Sequence, residues 1–232
     1  LTGTYLELLL ALALFLVTHT VPALPRLRAA AVGRLGERRY LALYSLLSLA
    51  ALGWLITAAL AAPYLELWPA SPWAALLPPL IMPAACAMIV AGLSLPNPLS
   101  VTLVPAGFSL ERPGLLAFTR HPVLWGFALW AGAHLVANGD LAAAILFGVC
   151  LAFSLVGMIM LDRRRRRTLG EAEWRRLTQG LALARRQDGG RRALRDLPWR
   201  AFAAGLGLYA GLAALHPWVL GVPALPGWWA GR

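Results

Sequence analysis

Residues 120–161 read RHPVLWGFALWAGAHLVANGDLAAAILFGVCLAFSLVGMIML. Two apolar runs, interrupted only by Asn138, Gly139 and Asp140, each approach the roughly 20 residues a helix needs to cross a hydrocarbon core of about 30 Å. The stretch therefore predicts a tight helical hairpin inside a bilayer. It also poses a chemical question, because His134 lies deep in the first run. An ionisable side chain in hydrocarbon is costly and is a functional candidate by default.

The rest of the chain has the same character. Hydrophobic residues make up 59% of the 232 positions and charged residues 13%, a balance foreign to a water-soluble domain of this size. Six runs have spanning length, near 4 to 24, 40 to 62, 73 to 95, 121 to 138, 141 to 161 and 200 to 221. The expectation is an all-α, polytopic membrane bundle of about six transmembrane helices, with 1–232 as a single integral membrane domain. In the third run Pro78, Pro79 and Pro83 remove backbone donors and should kink the helix or delay its start.

Charge distribution gives the topology. All 21 basic residues are Arg, and the net charge is +11. Arg26, Arg28, Arg34, Arg38 and Arg39 lie in the first loop, Arg112 and Arg120 in the third, and thirteen more from Arg163 to Arg200. The alternate loops hold only Glu66 and Asp140. Because cytoplasmic loops collect Arg and Lys, both termini are expected outside in a multi-pass protein of the inner (plasma) membrane. Arg232 is then the only outside Arg. Anionic headgroups are the partners expected for the Arg-rich loops. Nucleic acid is not, since no basic face interleaved with aromatic residues is present. Glu7 precedes the first apolar run and the Arg cluster follows it, the reverse of a secretory signal.

Residues 162–198 form a basic segment in which Leu169, Trp174, Leu177, Leu181 and Ala184 recur at near-helical spacing opposite Arg175, Arg176, Arg185 and Arg186. That pattern predicts an amphipathic helix lying in the inner headgroup layer, ended by Asp188, Gly189 and Gly190. About forty residues so poor in apolar surface should not build a globular domain. Cys86 and Cys150 fall inside spans and read as small core residues.

Chemistry is left to the few polar groups inside the spans. Trp130, His134 and Asn138 stand at successive four-residue steps on one helical face, and Ala128 and Gly132 offer a small-residue strip for close approach of a helix or a flat ligand. His134 either hydrogen-bonds across to another helix, with Ser45 and Ser48 as candidates, or ligates a metal or haem. Counting about 1.5 Å per residue from the nearest Arg puts His19 about 10 Å into the bilayer, His134 about 21 Å in, and His121 at the surface. His121 and His134 are about 220° apart around their helix and share no face. His216, with Trp218, and the pair Trp228 and Trp229 read as outer interfacial residues. Phosphate loops, HExxH, GxSxG and paired intramembrane carboxylates are absent from the sequence.

GRLGERRYLALYSLLSLAALGWL, the THT around His19, and RHPVLWGFALWAGAHLVANGDLAAAILFG resemble the NnrU family of bacterial membrane proteins, associated with nitrite and nitric oxide respiration. The resemblance covers most of the chain through the fifth span. It extends to the plant ζ-carotene isomerase, which uses a histidine-held haem b to isomerise a cis double bond. The resemblance implies haem b as cofactor, His19 and His134 as axial ligands of the haem iron, and His121 as an auxiliary residue; the substrate does not transfer with it, and the expectation is a redox or isomerase role on an apolar small molecule. Ferrous iron released from one imidazole would then act on a conjugated alkene or bind nitric oxide.

RHPVLWG is also similar to the RHPxYxG segment of isoprenylcysteine and phospholipid methyltransferases, which implies a second reading. In it Arg120, His121 and Gly126 serve S-adenosylmethionine. Here Leu124 and Trp125 stand where that motif wants Tyr, and only Asp162 represents its downstream acidic pair. The trailing LGEAEW is similar to a decayed methyltransferase tail. A third expectation is a non-catalytic assembly factor for a respiratory complex.

Overall fold

A computed structural model describes residues 2–21, 24–69, 71–104 and 106–225. Trp228, Trp229 and Arg232 lie outside the described residues. The helices in chain order are α1 (Tyr5–Thr20), α2 (Pro25–Leu35), α3 (Glu37–Ala61), α4 (Leu77–Ser94), α5 (Pro122–Ala137), α6 (Leu141–Leu169), α7 (Glu171–Arg186), α8 (Arg191–Arg195) and α9 (Trp199–Leu220). Among the described residues the only β-type pairing is an isolated antiparallel bridge between Glu66 and Asp140, so the fold is all-α.

Each of the six apolar runs is helical, and their lengths divide them. Four helices are long and apolar enough to cross a membrane: Glu37–Ala61, Ala74–Ser94, Leu141–Leu169 and Trp199–Leu220. The helices that carry His19 and His134 are shorter, 16 residues each, or about 24 Å at 1.5 Å per residue. Pro122 fixes the start of α5 at its first turn, and Asn138 ends it by returning both its backbone N–H and its side-chain Nδ2 to the His134 carbonyl, at 3.0 and 2.8 Å. In the third run a 3₁₀ turn at Ala74–Leu76 precedes α4, Pro78 and Pro79 occupy the first turn, and Pro83 stays inside the helix. Missing donors are tolerated in a first turn, where the N–H groups have no intrahelical partner.

Contacts within the chain gather into two compact units. The first comprises Leu1–Pro69 with Gly139–Leu146. Here α1 packs on α3 through narrow stripes at helical spacing, Leu8, Ala11, Phe15 and Thr18 on one and Ala51, Leu55 and Ala58 on the other. Leu6, Leu9, Leu10, Leu46 and Leu49 stay exposed around them, as lipid-facing surface does, since lipid offers no hydrophobic penalty. Polar ties fix the pair: Tyr5 OH donates to the Pro63 carbonyl at 2.9 Å and Trp54 Nε1 to the Glu7 carboxylate at 3.2 Å. Gly139 accepts from Leu67 N and Trp68 N at 2.7 and 3.1 Å. A Cβ on Gly139 would stand 1.9 Å from the Trp68 carbonyl oxygen, so the connection between α5 and α6 requires glycine.

The second unit comprises Ala70–Asn138 with Phe147–Arg232. Helix α4 lies at its centre, packed by α5 and by α9. Close approach occurs at Gly126, where a Cβ would meet the Ile89 side chain at 2.5 Å and the Ala85 carbonyl oxygen at 2.7 Å, and at Gly205, 2.4 Å from Ala87 Cα. Helix α4 thus approaches at Gly126, and the Gly132 end of the expected strip is left open. Ala128 is buried, but a Cβ on Gly132 would meet nothing within 4 Å, because the face presented to α4 is rotated toward Gly126.

At 29 residues α6 is about 44 Å long, well beyond a hydrocarbon core, and its last turns carry Arg163 to Arg167. Helix α7 follows as the periodicity predicts, with a different partner for its apolar face. Leu177 and Leu181 form a core with Leu99 and Leu116, and Phe108, Leu110, Leu169 and Trp174 pack around it. The expectation that this face lies in headgroups is therefore corrected. The segment between α4 and α5 supplies the apolar surface that residues 162–198 lack, and together they build a small cap at the Arg-rich end.

Candidate functional site

The imidazole of His134 has an aromatic setting made by its own hairpin. Its Nδ1–H donates to the Trp130 carbonyl one turn earlier at 2.8 Å. The Phe147 ring of α6 lies 5.0 Å from the imidazole and 5.5 Å from the Trp130 ring, and Trp130 and His134 are 6.0 Å apart. Trp130, His134 and Asn138 thus share one face, as their spacing requires. The partner of Nδ1 is a carbonyl of the same helix. With Nδ1 protonated, the lone pair of the neutral ring resides on Nε2, the arrangement typical of a histidine that ligates a metal.

His19 repeats the pattern in the first unit. Its Nδ1–H donates to the Phe15 carbonyl, again one turn back, at 2.8 Å. The Phe15 ring lies 4.1 Å away, and Tyr44 approaches edge-on at 6.4 Å while its hydroxyl donates to the His19 carbonyl at 3.3 Å. Threonines 18 and 20 return their hydroxyls to the Phe15 and Leu16 carbonyls, so the polar groups at this helix end are satisfied locally.

His121 is different. Its Nε2–H donates to Asp162 Oδ1 at 3.0 Å, and in the neutral ring Nδ1 accepts the Ser100 hydroxyl at 2.8 Å. Arg120 Nη2 donates to the second oxygen of Asp162 at 2.7 Å, and its guanidinium stands 5.9 Å from the Trp174 ring centre. Asn97 binds the neighbourhood together: Nδ2 donates to the Arg120 carbonyl at 2.9 Å, and Oδ1 accepts from Leu99 N and Ser100 N at 2.9 and 3.1 Å. Arg165 Nη2 donates to the Ser100 carbonyl at 3.3 Å. Burial of His121 lowers its pKa, and the Asp162 charge offsets this only in part.

Serine, histidine and carboxylate in hydrogen-bond series also describe a hydrolytic triad. Accessibility decides against that use. Ser100 is 0% exposed, and the same carboxylate is claimed by Arg120. The constellation is a lock joining the α4–α5 segment, the start of α5 and the end of α6, under the core that α7 completes. Asp162, the residue at the place of the methyltransferase acidic pair, is its centre. Gly126, the third residue of that resemblance, faces the α4 backbone. Ser100 and Asn97 were not foreseen. The string PNPLS that holds Asn97 carries a turn signal, and nothing in its spacing names a partner 21 or more residues away.

The other candidates fall into place simply. Cys86 and Cys150 are buried free thiols. At the end of α9, His216 Nδ1–H donates to the Val222 carbonyl at 2.7 Å and Trp218 is exposed. Among the described residues no group of three or more His, Cys, Asp or Glu could hold a bare metal ion.

The protein family described as NnrU protein matches residues 7–224, and the chain belongs to that family. No curated protein and no solved structure gives a match.

Proposed function

We propose that this member of the NnrU family binds haem b in the membrane, with His134 and His19 as iron ligands, and serves a redox or isomerase reaction on an apolar substrate. The observation that carries the reading is the shared setting of these two imidazoles. Each lies in one of the two short apolar helices, donates Nδ1–H to the carbonyl one turn back at 2.8 Å, and has an aromatic ring beside it. In His134 the lone pair is on Nε2. A bare ion asks for three or four protein ligands, whereas haem brings four nitrogens of its own and asks for one or two.

When bound, haem supplies one-electron chemistry and an iron that can coordinate an alkene or nitric oxide. The residues of this chain orient and shield. The Trp130 carbonyl fixes the tautomer and rotation of His134, Asn138 closes the helix end beneath it, and Trp130 with Phe147 provides an apolar wall that excludes water. His121 is assigned to the lock, because both its nitrogens already have protein partners.

The test is the absorption spectrum of the full chain purified in detergent, as isolated and after addition of haem. A Soret band that is lost in His134→Ala, lost or shifted in His19→Ala, and retained in His121→Ala supports the reading. A colourless protein that takes up no haem overturns it. Saturable S-adenosylmethionine binding to that colourless protein would assign the methyltransferase reading instead; blanks in both assays would favour an assembly factor.

A further inference from the structure

At the Arg-rich end of the second unit, the end of α4 and the start of α9 frame an open groove of about 620 Å³. Leu95, Leu197, Pro198 and Ala201 provide apolar walls, and Trp199 and Arg200 stand at its edge. Both framing helices are long and apolar enough to span a bilayer, so their ends set the groove at headgroup depth. Trp199 is 63% exposed and held edge to face against Phe202 at 5.7 Å, the posture of an interfacial tryptophan. Arg200 is exposed and enters no ion pair among the described residues.

These features constrain the occupant. Free phosphate would use the guanidinium and leave the apolar walls wet. A neutral amphiphile would use the walls and leave the cation without a partner. An anionic glycerophospholipid uses both. We propose that this groove binds one anionic glycerophospholipid, its phosphate on Arg200, its glycerol level beside Trp199, and an acyl chain along Leu95, Leu197 and Ala201. Basic pockets between spanning helices on the side that collects Arg recognise acidic headgroups by this chemistry.

The test uses the full chain in nanodiscs of mixed phosphatidylglycerol and phosphatidylcholine, followed by detergent extraction and native mass spectrometry of the retained lipid. The wild type is expected to retain phosphatidylglycerol in preference. Arg200→Gln should cut the preference about fivefold, the worth of one cation at a membrane surface. Arg163→Gln, an exposed control elsewhere in the Arg-rich segment, should leave it unchanged. Ala201→Phe, which fills the groove without altering charge, should release the lipid. Equal retention of both lipids by the wild type overturns the proposal, as does an unchanged preference in Arg200→Gln. Displacement of the lipid by millimolar inorganic phosphate would assign the cation to a free anion and overturn it too. Arg200→Gln carries the test if Ala201→Phe does not fold.

Discussion

His121 and His134 stand at opposite ends of α5, thirteen positions apart, and they are bonded in opposite ways. His121 gives both ring nitrogens to side chains, Ser100 from 21 residues upstream and Asp162 from 41 downstream. His134 gives one nitrogen to its own helix. A side chain whose polar atoms are all used across elements holds those elements together. One that bonds locally is oriented without being needed for assembly, and the second nitrogen of His134 enters no hydrogen bond among the described residues. The two positions should therefore separate stability from spectrum when substituted.

The harshest break is Asp162→Ala, which leaves both Arg120 and His121 without their acceptor. Removing the acceptor that Arg120 and His121 share costs about 2.5 kcal/mol, below the figure for a fully buried pair because the Arg120 and Asp162 side chains are 41% and 26% exposed, and the shift should be read as a lower denaturant midpoint in detergent, with Asp162→Asn losing less. An unchanged midpoint in the alanine variant would mean that the lock does not hold the cap. His121→Ala should cost about 2 kcal/mol, from two lost hydrogen bonds and a cavity, and should keep any Soret band. Ser100→Ala removes one hydroxyl from the network and should cost about 1 kcal/mol.

The lock also has a pH signature. Because burial lowers the His121 pKa, the unfolded chain takes up a proton near the ordinary histidine value of about 6.5 while the folded one resists. The unfolded state then binds more protons, so stability is full above about pH 6.5 and falls as pH drops through the lowered value. Unfolding midpoints measured from pH 8 to 5 should decline in the wild type and decline less in His121→Gln. An identical slope in both would remove His121 as the titrating group.

What could be read from the sequence follows from the range of the forces. The apolar runs are local, so all six helices were legible, as was the periodicity of α7. Helix α2 was missed, although Pro25 at its first turn and Gly36 just after its end are the ordinary punctuation of a helix. The cover of α7 was not legible, because Leu99, Phe108 and Leu116 come from a proline-containing irregular segment with no period to betray a buried face. Arg120, His121 and Asp162 were visible singly as polar residues at span ends. Their convergence depends on α6 returning antiparallel to α5 until residue 162 comes level with residue 121. The aromatic setting of His134 was half legible: Trp130 shares its face by spacing, whereas Phe147 reaches it only through the turn at Gly139.

The gentlest substitution for stability is His134→Ala, and it tests the comparison most sharply. The imidazole makes one bond, to a carbonyl that already belongs to a helix, so its loss should cost about 1 kcal/mol or less and leave the midpoint above that of His121→Ala. Any Soret band should vanish from the same preparation. Loss of colour with a midpoint near wild type assigns His134 to ligand binding. If the midpoint instead collapses as far as in Asp162→Ala, the loss of colour would report unfolding, and the local bonding of His134 would no longer distinguish it from the lock.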